Sequence, residues 1–123
     1  MQAPENLLGI TPVLPSSDIS RDVDWYEKMT GFTCLYADSM YAILLREQQC
    51  IHLQWHAGTS EDPMPAGSVV RIFVKDIQPL VEEFIRRGTI RNQSYISNTP
   101  WNTREFGFHD LNRNSIYLVE DLD

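Results

Sequence analysis

One arrangement occurs twice along this chain and limits its fold more than any single motif: a strand, a helix and three further strands, repeated at a spacing of about 60 residues. In the first pass, 7–15 is apolar but broken by Pro12 and Pro15, which remove ladder donors and suit a sheet edge. Ser16, Ser17 and Asp18 offer capping side chains. Ile19, Val23, Tyr26 and Met29 follow at helical spacing, Asp18 and Asp22 suit the positive end of the helix dipole, and Gly31 stops the helix. Short runs at 32–37, 40–46 and 49–56 read as strands joined by hairpin-length loops. The second pass places a strand at 68–74 and a helix at 77–87, capped by Asp76 and ended by Gly88, with Leu80, Val81 and Phe84 inward. Strands at 90–97, 104–109 and 115–120 complete it.

The last two of these strands form a hairpin. Phe106 and Phe108 alternate with small or polar neighbours before the turn, Ile116 and Leu118 alternate after it, and 110–114 supplies turn-tolerant residues. Residues 58–67, rich in Pro, Ser, Asp and Glu, lack periodicity and read as a linker. The expected organisation is a single α+β domain over 1–123, with one βαβββ module at 7–57 and another at 68–121. At 123 residues, neither half is long enough to hold an independent core, so the two must pack together or pair across a dimer.

The formal charge of −7 argues against nucleic acid, whose phosphates must be met by Lys and Arg, and favours cationic or neutral ligands. No run approaches the roughly 20 apolar residues of a spanning helix, and the N-terminus lacks a basic segment followed by an apolar one. The expectation is a soluble, cytoplasmic protein with no membrane partner. Cys34 and Cys50 are expected to be reduced.

Three segments carry a family resemblance. They are Thr11-Pro12-Val13-Leu14-Pro15, the helix end Trp25-Tyr26-Glu27-Lys28-Met29-Thr30-Gly31-Phe32, and Pro100-Trp101-Asn102-Thr103-Arg104-Glu105-Phe106. Together they resemble the vicinal oxygen chelate superfamily, which includes glyoxalase I, extradiol dioxygenases and bleomycin resistance proteins. The third segment is the most specific and resembles the drug-binding branch. The resemblance implies two βαβββ modules, each curling into a partial cup, and a homodimer whose subunits form the ligand grooves.

Enzymes of the superfamily hold a divalent metal through four side chains. The resemblance puts those positions at Thr11, His52, Val69 and Tyr117, of which only His52 is a good ligand. Val69 has no donor atom, and Tyr117 would have to lose a proton from a pKa near 10. About three good donors are needed, so no metal or other cofactor is expected. His52 and Gln54, two apart on a strand, share a face at roughly 6.5 Å, while His56 lies roughly 13 Å from His52. No Gly-rich phosphate loop, Cys-x-x-Cys pair or Gly-x-Ser-x-Gly elbow is present, and Glu105 and Asp110 are expected to face solvent rather than form an acid/base pair. The reading favours a binding protein with no catalytic residues. The alternative is a metal-dependent lyase, isomerase or dioxygenase, because a one-residue slip in register turns every strand side chain over.

Aromatic residues make up 11% of the chain. Most rings in a small domain are core, and Trp25, Tyr26, Phe73 and Phe84 fit that role. The candidate ligand-binding residues are Trp101, Tyr117, His52, Gln54, Tyr41, Trp55 and Phe106, with Trp101 in the groove-walling segment and Tyr117 at an inward position by resemblance. Such a cup suits a small-molecule ligand that is flat and partly cationic, held by stacking and cation–π attraction. The implied role resembles antibiotic resistance by sequestration.

Overall fold

The computed structural model describes residues 3–123. Two four-stranded sheets each carry one helix. The first module runs β1 (Val13–Ser16), α1 (Ile19–Thr30), β2 (Thr33–Ala37), β3 (Tyr41–Arg46) and β4 (Gln49–Trp55), in the sheet order β1-β4-β3-β2. The second runs β5 (Val69–Val74), α2 (Gln78–Arg87), β6 (Ser97–Asn98), β7 (Thr103–His109) and β8 (Ser115–Asp121), in the order β5-β8-β7-β6. In each sheet the first strand pairs parallel with the last, as a βαβ crossover requires, and the other pairs are antiparallel. The expected α+β fold of two βαβββ modules is therefore present.

Both helices end where their punctuation directs, and the first also begins there. The Asp18 carboxylate accepts the Arg21 amide at 3.1 Å, and Gly31 and Gly88 take left-handed conformations at φ 74° and 82° that a side chain would strain. The second helix starts one residue late. Ile77 is its N-cap and donates its amide to Glu120, while Asp76 accepts the Gln78 amide from just outside. Along the strands, burial alternates: Ala42 and Leu44 on β3, Ile51 and Leu53 on β4, and Ile116 and Leu118 on β8 turn toward the helices. They join Tyr26, Phe84 and Phe106 in one core fed by both modules.

Two strand expectations fail. Residues 7–12 lie outside β1, and Leu7, Leu8 and Ile10 are 92%, 98% and 99% exposed; Pro12, which has no amide to donate, accepts the His52 amide at its carbonyl and marks where pairing with β4 begins. The run 90–97 is not a strand either. Ile90 is buried and donates its amide to the Phe84 carbonyl, closing α2. The Asn92 side chain then accepts the Ser94 amide and starts a 3-10 turn at Gln93–Tyr95, leaving only two residues for β6.

The modules are joined by a polar latch as well as by the core. Tyr26 on α1 donates to Asp110 at the start of the β7–β8 turn (2.6 Å), and Asp110 also accepts the amides of Asn112 and Asn114 and the Asn114 side-chain amide. Asn112 donates to Asp22 at 2.6 Å, and Asn114 donates to the Pro15 carbonyl. Asp110 is therefore buried, which corrects its expected solvent position: α1 of the other module covers the turn. Burial, followed by the Asp110 charge, pushes the Tyr26 hydroxyl far above its ordinary value, so it stays a donor. At the other end, Arg46 and Arg87 both engage Glu83, and their guanidinium groups, Arg46 first, hold its carboxyl below the usual range. Among the described residues, no helix is long and apolar enough to cross a membrane.

Candidate functional site

The second sheet has an open outer face, away from the helices. Register assigns its rows, since directly paired residues share a face. Arg71 pairs with Tyr117 and Tyr117 with Gly107; Phe73 pairs with Val119, Val119 with Glu105 and Glu105 with Ser97. One row therefore carries guanidinium, phenol and bare backbone. The next carries an exposed phenyl ring and a carboxylate.

Gly107 sets the position of the Tyr117 ring. A Cβ at 107 would lie 2.5 Å from both Cδ1 and Cε1 of Tyr117, so the ring lies flat against the strand only because the side chain opposite is a hydrogen atom. The Arg71 guanidinium carbon then sits 5.7 Å from the Tyr117 ring centre and 6.0 Å from that of Phe73. Glu105 holds this guanidinium through both carboxylate oxygens, at 3.2 and 2.8 Å, and accepts the Thr103 hydroxyl at 2.8 Å. Arg71, then the Thr103 hydroxyl and the Trp101 indole N–H, hold the Glu105 carboxyl below its usual range against the opposing effect of burial. Glu105 is thus buried and saturated, which overturns its expected solvent position.

A groove of about 470 Å³ opens over this face, lined by Tyr95, Ser97, Glu105, Gly107, His109 and Tyr117 among others. It exists because the 3-10 turn and the two-residue β6 replace a full edge strand. Trp101 stands at the adjoining loop, 62% exposed, followed by Asn102 at φ 65°. A second groove of about 330 Å³ runs along the β5 edge past Cys50, Arg71 and Phe73. Arg71 therefore lines one groove while holding a lining residue of the other.

The seven candidates do not come together. Tyr41 and His52 meet on the outer face of the first sheet, with the hydroxyl 2.8 Å from Nδ1, and Gln54 pairs with Tyr41 on that same face. Trp101 and Tyr117 belong to the outer side of the second sheet. Trp55 and Phe106 are corrections. Trp55 follows Gln54 by one residue, so it faces the other way and packs on the core. Phe106 is 1% exposed and meets Phe84 edge-on at 5.6 Å, because its strand neighbours Glu105 and Gly107 take the outer face. The sequence reading missed Arg71 and Gly107. The signals were a charged residue on the face of Val69 and Phe73, and a glycine inside a strand, which marks a close approach.

The metal positions of the superfamily do not fit a divalent ion in this chain: His52 is a good ligand, but Val69 has no donor, Thr11 offers only a neutral hydroxyl, and no three His, Cys, Asp or Glu side chains cluster among the described residues.

No family model matches the chain. It is 23% identical over 130 residues to the bleomycin resistance protein of Geobacillus stearothermophilus, covering 94% of this chain and 98% of that one. The structure superposes on that of a bleomycin-binding protein complexed with bleomycin with a TM-score of 0.78 at 20% identity, over 94% of this chain and 99% of the other. It also superposes on a glyoxalase/bleomycin resistance protein/dioxygenase from Nocardioides, with a TM-score of 0.70 at 21% identity over 98% and 87% of the two chains.

Proposed function

We propose that this chain, which has the vicinal oxygen chelate fold and falls with its bleomycin-resistance branch by likeness along its length, is a binding protein that sequesters a bleomycin-type compound. The observation that carries the reading is the outer face of the second sheet, where Tyr117 laid flat on Gly107 lines a groove of about 470 Å³ and the exposed Trp101 stands in the loop before β7. Glu105, the one lining carboxylate, has both oxygens committed to Arg71 and Thr103, so it offers no free base.

The reading extends to the assembly. A one-domain chain with modules at 7–57 and 68–121 works here as a homodimer, in which the first sheet of one copy brings Tyr41, His52 and Gln54 to the groove of the other. The exposed Leu7, Leu8 and Ile10, together with Val69 and Phe73 on the open β5 strand, support it, because a second copy would cover them. The free Cys34 and Cys50 suit a reducing cytoplasm.

Titration of the purified protein with bleomycin, followed by tryptophan fluorescence, tests the function. Binding is expected at micromolar or lower concentration, and Trp101→Ala is expected to weaken it about tenfold, the loss of one stacked ring with desolvated cation–π contact. No bleomycin binding by the wild-type protein would sink the reading. Sedimentation at micromolar concentration tests the dimer, and a single 14.2 kDa species would sink that part alone.

A further inference from the structure

We propose that Arg71 is the residue that sets ligand specificity, and that the group it selects is an uncharged planar one with a hydrogen-bond acceptor on its edge, such as an aromatic carboxamide. The inference rests on the reading that the outer face of the second sheet is the ligand site. It changes the chemistry expected there, because the cation that an aromatic cup would recruit is already supplied by the protein.

Three observations carry it. First, the guanidinium occupies the cation position of two rings at once, 5.7 Å from Tyr117 and 6.0 Å from Phe73, so a ligand ammonium at either ring meets a like charge. Second, a guanidinium has five N–H donors. Glu105 takes one from each terminal nitrogen, and the Arg71 side chain is still 36% exposed, so the remaining N–H groups, on the sheet face shared with Tyr117, have no protein partner among the described residues. Third, Glu105 neutralises the fork while both of its oxygens already accept hydrogen bonds, one from Arg71 and the other from Arg71 and Thr103. It can neither receive a ligand ammonium nor tolerate a ligand carboxylate beside it. An acceptor without charge satisfies the free N–H groups at no such penalty, and its flat ring can lie beside the half-buried Tyr117 ring.

The net charge of −7 pulls the other way, toward cations. Screening decides between the two effects. At physiological ionic strength, charges farther than about 8 Å are largely screened, whereas the guanidinium lies 5.7 Å from the centre of the Tyr117 ring that lines the groove.

The test uses three probes that differ in one substituent: naphthalene-2-carboxamide, naphthalene-2-carboxylate and 2-naphthylmethylammonium, titrated in 150 mM salt with bleomycin as a parallel titrant. Wild-type protein is expected to bind the carboxamide at least fivefold more tightly than either charged probe. In Arg71→Met combined with Glu105→Gln, which leaves no unpaired buried charge, that preference is expected to fall below twofold. Arg71→Lys, which keeps the charge but loses the fork, should lose most of the carboxamide affinity. The variants are compared only after urea unfolding confirms that they fold.

Equal or tighter binding of the ammonium probe by wild type overturns the inference, as does an unchanged order of affinities in the double variant or no carboxamide binding up to millimolar concentration. Bleomycin binding without a carboxamide preference overturns this inference and leaves sequestration standing. A carboxamide preference that depends on Arg71, with no bleomycin binding, does the reverse.

Discussion

The two modules share one topology but treat their outer faces differently. In the first, β2 is a five-residue edge strand that pairs along β3, and the outer face is a filled sheet on which Tyr41 and His52 bond to each other. In the second, the equivalent edge has shrunk to two residues after a 3-10 turn, and the space released is the groove beside Tyr117. The change is small in sequence. Asn92 captures a nearby amide where a strand would have offered it to β7, and one βαβββ unit keeps a closed sheet while the other gains a groove.

This contrast can be broken most strongly at Phe106. If the inner face of the second module is core and only the outer face is working surface, Phe106→Ala should cost about 3 to 5 kcal/mol in urea unfolding, as for other buried aromatic truncations. Trp101→Ala, five residues earlier but exposed, should cost under about 1 kcal/mol. Similar losses at the two positions would mean that the faces are not divided as described.

The next largest effect concerns the latch that holds the modules together. Asp110→Ala strands the Tyr26 hydroxyl and the Asn112 and Asn114 amides, and should lower unfolding free energy by about 2 to 4 kcal/mol. Glu105→Gln, which keeps the shape within one module, should lower it much less.

At the groove itself, Gly107→Ala isolates the second module's device. The added methyl group must push the Tyr117 ring off the sheet, with an overpacking cost of about 1 to 3 kcal/mol and at least a tenfold loss of bleomycin affinity. A variant that binds as wild type would show that the flat ring is not needed.

The smallest effect is the pH dependence. The carboxyls of Glu83, between the modules, and Glu105, within the second, both lie below their ordinary range when folded, with Arg46 and Arg71 as the respective leading causes. A depressed folded value means stability that is present above the unfolded value of about 4.3 and is lost as pH falls from there through the folded value. Melting temperatures between pH 6 and pH 3 should therefore fall with acid, and Glu83→Gln or Glu105→Gln should each flatten the fall. A variant with an unaltered slope would remove that carboxylate from the account.

Much of the architecture was legible along the chain because its signals are local. Alternation every second residue and recurrence every three or four mark strands and helices within a few positions, and Gly31, Gly88 and Asp18 act on their immediate neighbours. The doubled order of elements then left few folds open. Local signals also failed locally: 90–97 has an acceptable strand composition, and only the competing Asn92 side chain and the burial of Ile90 against α2 made it a turn.

The site depended on partners far apart in sequence. Whether Trp55 or Gln54, and Phe106 or Gly107, takes the outer face of its sheet turns on a single step of register, and it was settled only when the helices covered one side. Arg71 meets Glu105 across 34 residues, and Asp110 is buried by a helix 84 residues earlier. Strand pairing and module packing bring those groups together, and each drew its role from a neighbour that no window along the chain contains.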